Sequence, residues 1–249
     1  MRLSITFSPA GSSLRLPTHY NRLLQASLYA NLDQITAAFF HDRGFLHGSR
    51  SFKMFTFSRL MGPYEINARE GVICFNGSLK LVVSSPSDDF CGSLATCLLA
   101  RGSILLGKEE VGIEKVEVQS PTITGERAIV RTLSPIVVYS TLSKADGAKY
   151  TCYFQPGEPE FEEQLCDNLR KKYEAVHGCP APDGTVRVRP FRQPRMHIVK
   201  YLGTVIKGYS CTLQLEGPQA LLQLGLDAGF GAKNSQGFGC VELCPAGAR

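Results

Sequence analysis

Gly229-Phe230-Gly231-Ala232-Lys233-Asn234-Ser235-Gln236-Gly237-Phe238-Gly239 follows a helix-like run and leads into a strand-like one, with four glycines in eleven residues. Backbone without Cβ atoms approaches a ligand closely and adopts φ > 0, so such a loop commonly lies against a polyanion. Lys233, Asn234 and Ser235 add a cation, an amide and a hydroxyl. Two nucleotide motifs fail here. The only Gly-Lys pair, Gly107-Lys108, is followed by Glu109, so there is no phosphate loop of the Gly-Lys-Ser/Thr kind. Gly229-x-Gly231 is followed by Asn234 and has a helix before it and a strand after it, the reverse of a dinucleotide fingerprint.

Outward from this loop, the pattern reads as one unit occurring twice. Arg2–Ser8 is strand-like. Asn21 is placed to cap a helix to about Phe40, with Leu24, Leu28, Leu32, Ile35 and Phe39 on one stripe. Strands are expected over residues 52–58 and Val72–Ser84, then a helix from Ser87 to about Ala100 stopped by Gly102, then strand character over Ile104–Val118. In the second half, Ala128–Tyr139 is strand-like, Pro159 opens a helix ending before Gly178, and strands follow at Thr185–Arg189 and Ile198–Leu215, the latter broken near Gly203 or Gly208. A short helix from Gly217-Pro218 through Leu226 precedes the loop, and Gly239–Leu243 closes the chain as a strand. The expected class is α+β: two tandem ferredoxin-like (RRM-like, βαββαβ) domains over residues 1–120 and 121–249, the boundary near Ser120-Pro121. The length of 249 residues suits two such domains.

Charge narrows the partner. The net charge is +5 and the pI about 8.7. Arg187, Arg189, Arg192, Arg195, Lys200 and Lys207 fall in a window without an acid, interleaved by Phe191 and Tyr201. That pattern suits RNA phosphates. Nine cysteines, an odd number without a Cys-x-x-Cys pair, read as thiols of a reducing cytoplasm rather than zinc ligands or a disulfide framework. No apolar run approaches the roughly 20 residues of a bilayer span. The acidic pairs Asp88-Asp89, Glu109-Glu110 and Glu162-Glu163 fall on expected surfaces, which disfavours a two-metal nuclease, and no Gly-x-Ser-x-Gly elbow supports a serine hydrolase. The sheet-stacking signature of RNA-recognition domains is missing.

The element order, the loop GFGAKNSQGFG and the segment LHGSRSFKMFTFS together resemble the Cas six family of CRISPR-associated endoribonucleases over essentially the whole chain, including Leu28-Tyr29 and Leu133-Ser134-Pro135-Ile136. The resemblance implies cutting of CRISPR precursor RNA within its repeats, without metal or cofactor, by attack of a ribose 2′-hydroxyl on its own 3′-phosphate. The products would be a 2′,3′-cyclic phosphate and a 5′-hydroxyl. It implies His47 for proton transfer, six residues before Lys53 at the phosphorane, with Tyr29 assisting; His41 is the alternative imidazole. Histidine suits such a role because its pKa lies near neutrality. RNA contacts are expected from Arg187, Arg189, Arg192, Arg195 and Lys200, and from Gly229, Gly231, Lys233, Asn234, Ser235 and Gly237 of the loop. The implied partners are repeat RNA as precursor and as retained guide, effector-complex subunits and a second copy of the chain, in the cytoplasm and away from membranes. A non-cutting RNA-binding subunit of the same superfamily is the alternative function, and a tandem ferredoxin-like protein for a small ligand a third.

Overall fold

A computed structural model describes residues 1–9, 11, 13–143, 147 and 149–245. The first half contains β1 (Arg2–Pro9), β2 (Ser13–Pro17), α1 (Asn21–Ala30), α2 (Gln34–Ala38), β3 (Phe45–His47), β4 (Arg50–Phe52), β5 (Thr56–Phe57), β6 (Tyr64–Asn67), β7 (Val72–Asn76), β8 (Leu79–Ser84), α3 (Asp88–Arg101), β9 (Ser103–Leu106) and β10 (Glu109–Gln119). The second half contains β11 (Arg127–Thr132), β12 (Val138–Ser143), β13 (Lys149–Phe154), α4 (Pro159–His177), β14 (Arg187–Pro190), β15 (Arg195–Tyr201), β16 (Thr204–Ser210), β17 (Thr212–Glu216), α5 (Gln219–Ala228) and β18 (Val241–Leu243).

Two sheets carry the tandem ferredoxin-like order. The first runs β5-β8-β1-β10-β9, with β1 antiparallel to both neighbours, and the second runs β14-β17-β11-β18 around β11. The other strand pairs are insertions on this frame. Along β1, Leu3, Ile5 and Phe7 point into the helix-covered core, and the alternate residues turn the other way. That other face meets the second half: Arg2 is buried and donates to Leu226 O and Val241 O at 3.2 and 2.6 Å. The second core packs Phe161, Leu165 and Leu169 of α4 against Leu221, Leu222 and Leu226 of α5 and the inner face of the second sheet.

Several expected elements are divided. The helix expected over residues 21–40 breaks after α1, because the Asp33 side chain accepts from Thr36 N at 3.0 Å and caps a new helix; Ile35 then lies 84% exposed. Asn21 is not the cap but a helical residue, and its amide donates to Gln236 O at 2.8 Å in the glycine-rich loop. The strand expected over 52–58 is interrupted at Met54, a non-glycine residue with φ of 47°. Val72–Ser84 is two strands separated at Gly77. The turn at Gly203 lies where expected, whereas Gly208 stays within β16, with Cys211 between β16 and β17. The caps of α3 (Ser87, Gly102) and of α4 (Pro159 at the start, Gly178 at the end) match the expectations.

Candidate active site and RNA interface

Tyr29, near the end of α1, sits edge-on to Phe55 and to His41, with ring centroids 5.4 and 5.3 Å apart. Its hydroxyl donates to Phe40 O at 3.3 Å, and burial holds its pKa above the ordinary phenol value. His41 lies in a single π-helical turn, Phe39–Arg43, of the kind that often marks functional sites. An aromatic cluster anchors that turn: Phe40 is buried and packs on Phe39, Phe45, Phe55 and Phe90. Gly44 closes it at φ 66°, where an added Cβ would stand 2.6 Å from Phe52 O.

The His41 ring itself is exposed, with Nδ1 2.7 Å from Asp42 Oδ1. When Nδ1–H donates to that carboxylate, Nε2 is left free to accept a proton. Lys53 Nζ donates to His41 O at 2.8 Å; burial lowers the Lys53 pKa, and Asp42 pulls it back up. Tyr29, His41 and Lys53 therefore form one cluster.

His47 has a different partner. In the β3–β4 hairpin Phe45 faces Phe52 and His47 faces Arg50, so His47 shares the face whose phenylalanines pack on α4. Its Nε2 lies 2.8 Å from Glu174 Oε2 of that helix, both side chains being about one-third exposed. The structure brings Tyr29 and Lys53 to His41 and pairs His47 with a carboxylate.

The glycine-rich loop is held from three sides. Gly237 would drive a Cβ to 2.5 Å from the Phe57 ring, and Gly239 to 2.0 Å from Phe230 O. Gly229 and Gly231 are equally confined, by Asn234 and Thr56 and by Val137 O. Asn234 is buried; its amide donates to Phe230 O and Phe238 O at 3.1 and 3.0 Å. Gly229, Gly231, Gly237 and Asn234 thus contact protein, while Lys233 and Ser235 remain partly exposed.

Behind the loop is a residue that the sequence reading passed over. Lys172 of α4 is 2% exposed and donates to Gly229 O, Gly231 O and Asn234 Oδ1 at 2.7, 2.9 and 2.7 Å. Burial pulls its pKa down to about 7. One signal was available. Phe161, Leu165, Leu169 and Lys172 follow the spacing of a single helical face, so the lysine interrupts an apolar stripe.

A cavity of about 590 Å³ opens between the halves, lined by Arg50 and Lys53 from the first and by Tyr139, α4 and the Lys233–Ser235 turn from the second. Lys233 has φ of 61°, its ammonium lies 5.4 Å from the Tyr139 ring centroid, and burial lowers its pKa. Arg187, Arg189, Arg192, Arg195, Lys200 and Lys207 are all exposed, and none has an ion-pair partner among the described residues. Arg195, Lys200 and Lys207 belong to the β15–β16 hairpin, and Arg192 to the turn before it. All nine cysteines are free thiols. Among the described residues no helix is long and apolar enough to cross a membrane.

Residues 115–243 match the family model "CRISPR associated protein Cas6, C-terminal", and residues 15–117 match "CRISPR-associated protein Cas6, N-terminal". The chain is 30% identical over 228 residues to the CRISPR-associated endoribonuclease Cas6 1 of Methanocaldococcus jannaschii, covering 91% of this chain and 86% of the relative. A solved CRISPR associated protein Cas6 superposes with a TM-score of 0.79 at 26% identity, over 98% of this chain and 99% of the other. A Cas6-related protein from Pyrococcus furiosus gives a TM-score of 0.86 at 19% identity over 98% of both chains, a likeness of fold.

Proposed function

Because the chain belongs to the CRISPR-associated Cas6 family, we propose that it is an endoribonuclease that matures CRISPR RNA by cutting the precursor within its repeats. The observation that carries the chemistry is the Tyr29 ring lying against the His41 imidazole while the Lys53 ammonium binds the His41 carbonyl.

In the proposed reaction, the ribose 2′-hydroxyl upstream of the cut forms a bond to its own 3′-phosphorus. The bond to the next nucleotide's 5′-oxygen breaks. The 2′-proton passes to His41 Nε2, which the Nδ1–Asp42 contact leaves open. The Tyr29 hydroxyl, protonated at neutral pH, releases Phe40 O and donates its proton to the departing 5′-oxygen. Lys53 offers two further N–H donors beside the one spent on His41 O, and its charge stabilises the phosphorane. The products are a 2′,3′-cyclic phosphate and a 5′-hydroxyl, and no metal enters a step. The unpaired cations of residues 187–207, with Lys233 and Ser235, hold the strand.

The non-cutting alternative draws on the His47–Glu174 contact, which engages one of the two candidate imidazoles. Incubation of the purified protein with labelled repeat RNA and a chelator separates the readings. Cleavage to cyclic-phosphate ends, blocked by 2′-deoxy substitution at the cut nucleotide, is the expected result. Binding without cleavage would favour the subunit, and cleavage of the 2′-deoxy substrate would exclude the hydroxyl as nucleophile.

A further inference from the structure

Gln164, Asn168 and Lys172 follow one another at four-residue spacing on α4, and all three line the cavity between the halves. Residues so spaced stack on one helical face. Lys172 is committed to the glycine-rich loop. Asn168 is not committed: its Oδ1 is buried and has no hydrogen-bond donor among the described residues. An orphaned amide acceptor costs free energy, and the broad terminal torsion of asparagine lets either end of the amide turn to the cavity.

The other walls complete the chemistry. Tyr139 offers an aromatic ring, over which the Lys233 ammonium now sits in place of a base, and Arg50, Lys53 and Lys233 offer cations. Among the described residues the one lining carboxylate, Asp167, is paired with Lys171. About 590 Å³ is a usual size for a small-molecule site and holds one nucleotide rather than a duplex. Amide side chains on a rigid helix, an aromatic ring and nearby cations are the means by which proteins read an unstacked base and hold its phosphate.

We propose that this cavity reads one unpaired nucleotide of the RNA strand: Gln164 and Asn168 bond the base edge, Tyr139 stacks on it, and Arg50 and Lys233 hold its phosphate. The proposal rests on the RNA-processing reading above. Asn168 Oδ1 calls for a base N–H donor, and on the N6/N7 edge adenine offers an amide a donor and an acceptor together. On the corresponding edge uracil presents only the O4 acceptor.

The test is binding to repeat RNAs that carry an abasic nucleotide at one position at a time. Each is made uncleavable by 2′-deoxy substitution at the cut, and affinity is read by fluorescence anisotropy for wild type, Asn168→Ala and Asn168→Asp. One position should emerge where loss of the base weakens wild type by about 10-fold or more, the range of a single amide–base pair. The same change should weaken Asn168→Ala by less than about threefold, because the contact is already gone. Replacing adenine by uracil there should reproduce the loss. Circular dichroism melting verifies the fold, and the near-isosteric Asn168→Asp, which exchanges a donor for a charged acceptor, should lose the same discrimination if Asn168→Ala fails to fold. Absence of a sensitive position, or equal sensitivity in wild type and both variants, overturns the pocket even if the all-ribose repeat RNA is cleaved normally. If the RNAs bind with the expected pattern but the all-ribose repeat RNA is never cut, the enzyme reading falls and the pocket stands.

Discussion

Replacing Lys172 by methionine removes the cation behind the glycine-rich loop while keeping an unbranched chain of similar length. Gly229 O, Gly231 O and Asn234 Oδ1 lose their donor together. Each buried acceptor left without a donor costs about 1–3 kcal/mol. Relaxation and relief of the buried charge offset part of that sum, so the expected loss is about 3–5 kcal/mol, as for breaking other buried charged networks. The pH dependence carries its own sign. Burial holds the folded pKa near 7, below that of a lysine in the unfolded chain, so between the two values the unfolded state binds more protons. Wild-type stability should therefore rise relative to Lys172→Met above about pH 7, by at most about 1.4 kcal/mol per unit, and this gain is lost as pH falls through 7. The chain has no tryptophan, so urea unfolding is best followed by circular dichroism, with reductant present for its nine cysteines. Equal stability of the two proteins, or a difference that stays flat from pH 6 to 9, would refute the reasoning.

Gly237→Ala drives a methyl against Phe57 at a φ of 83°, straining the seam between the halves, and should destabilise by about 1–3 kcal/mol; an unchanged thermal midpoint would count against close packing there. Arg195→Ala removes an exposed, unpaired cation from the basic hairpin, so RNA binding should weaken and its dependence on log salt should flatten by about one charge. A parallel salt dependence would place the strand elsewhere.

What the sequence disclosed is what local chemistry dictates. Ser87 and Gly102 bracket α3, Pro159 and Gly178 bracket α4, and alternation in β1 marks a strand, each a signal within a few residues. Failures came where two local signals competed. The stripe through Leu32, Ile35 and Phe39 continues a helical period, but the cap at Asp33 restarts the helix and turns Ile35 to solvent. Lys149–Phe154, a strand of one inserted hairpin, escaped notice because its first half is exposed and has no apolar alternation to read.

At the site, the structure adds contacts that spacing does not carry. His47 and His41 both precede Lys53 within a dozen residues, and only the π-helical turn, pinned by Phe40, turns His41 toward Tyr29. The glycines were legible as a close approach, but the approaching surface is Phe57, Thr56 and the loop's own carbonyls. Asn21, read as a helix cap, reaches the loop more than 200 residues away in sequence.

The most direct test of the account is single-turnover cleavage of repeat RNA by His41→Ala and His47→Ala side by side, with chelator present. Loss of the general base should slow His41→Ala by about 10²–10⁴-fold, with RNA affinity nearly unchanged, while His47→Ala keeps most of its rate. The reverse order, or full activity of His41→Ala, would contradict a site built from Tyr29, His41 and Lys53.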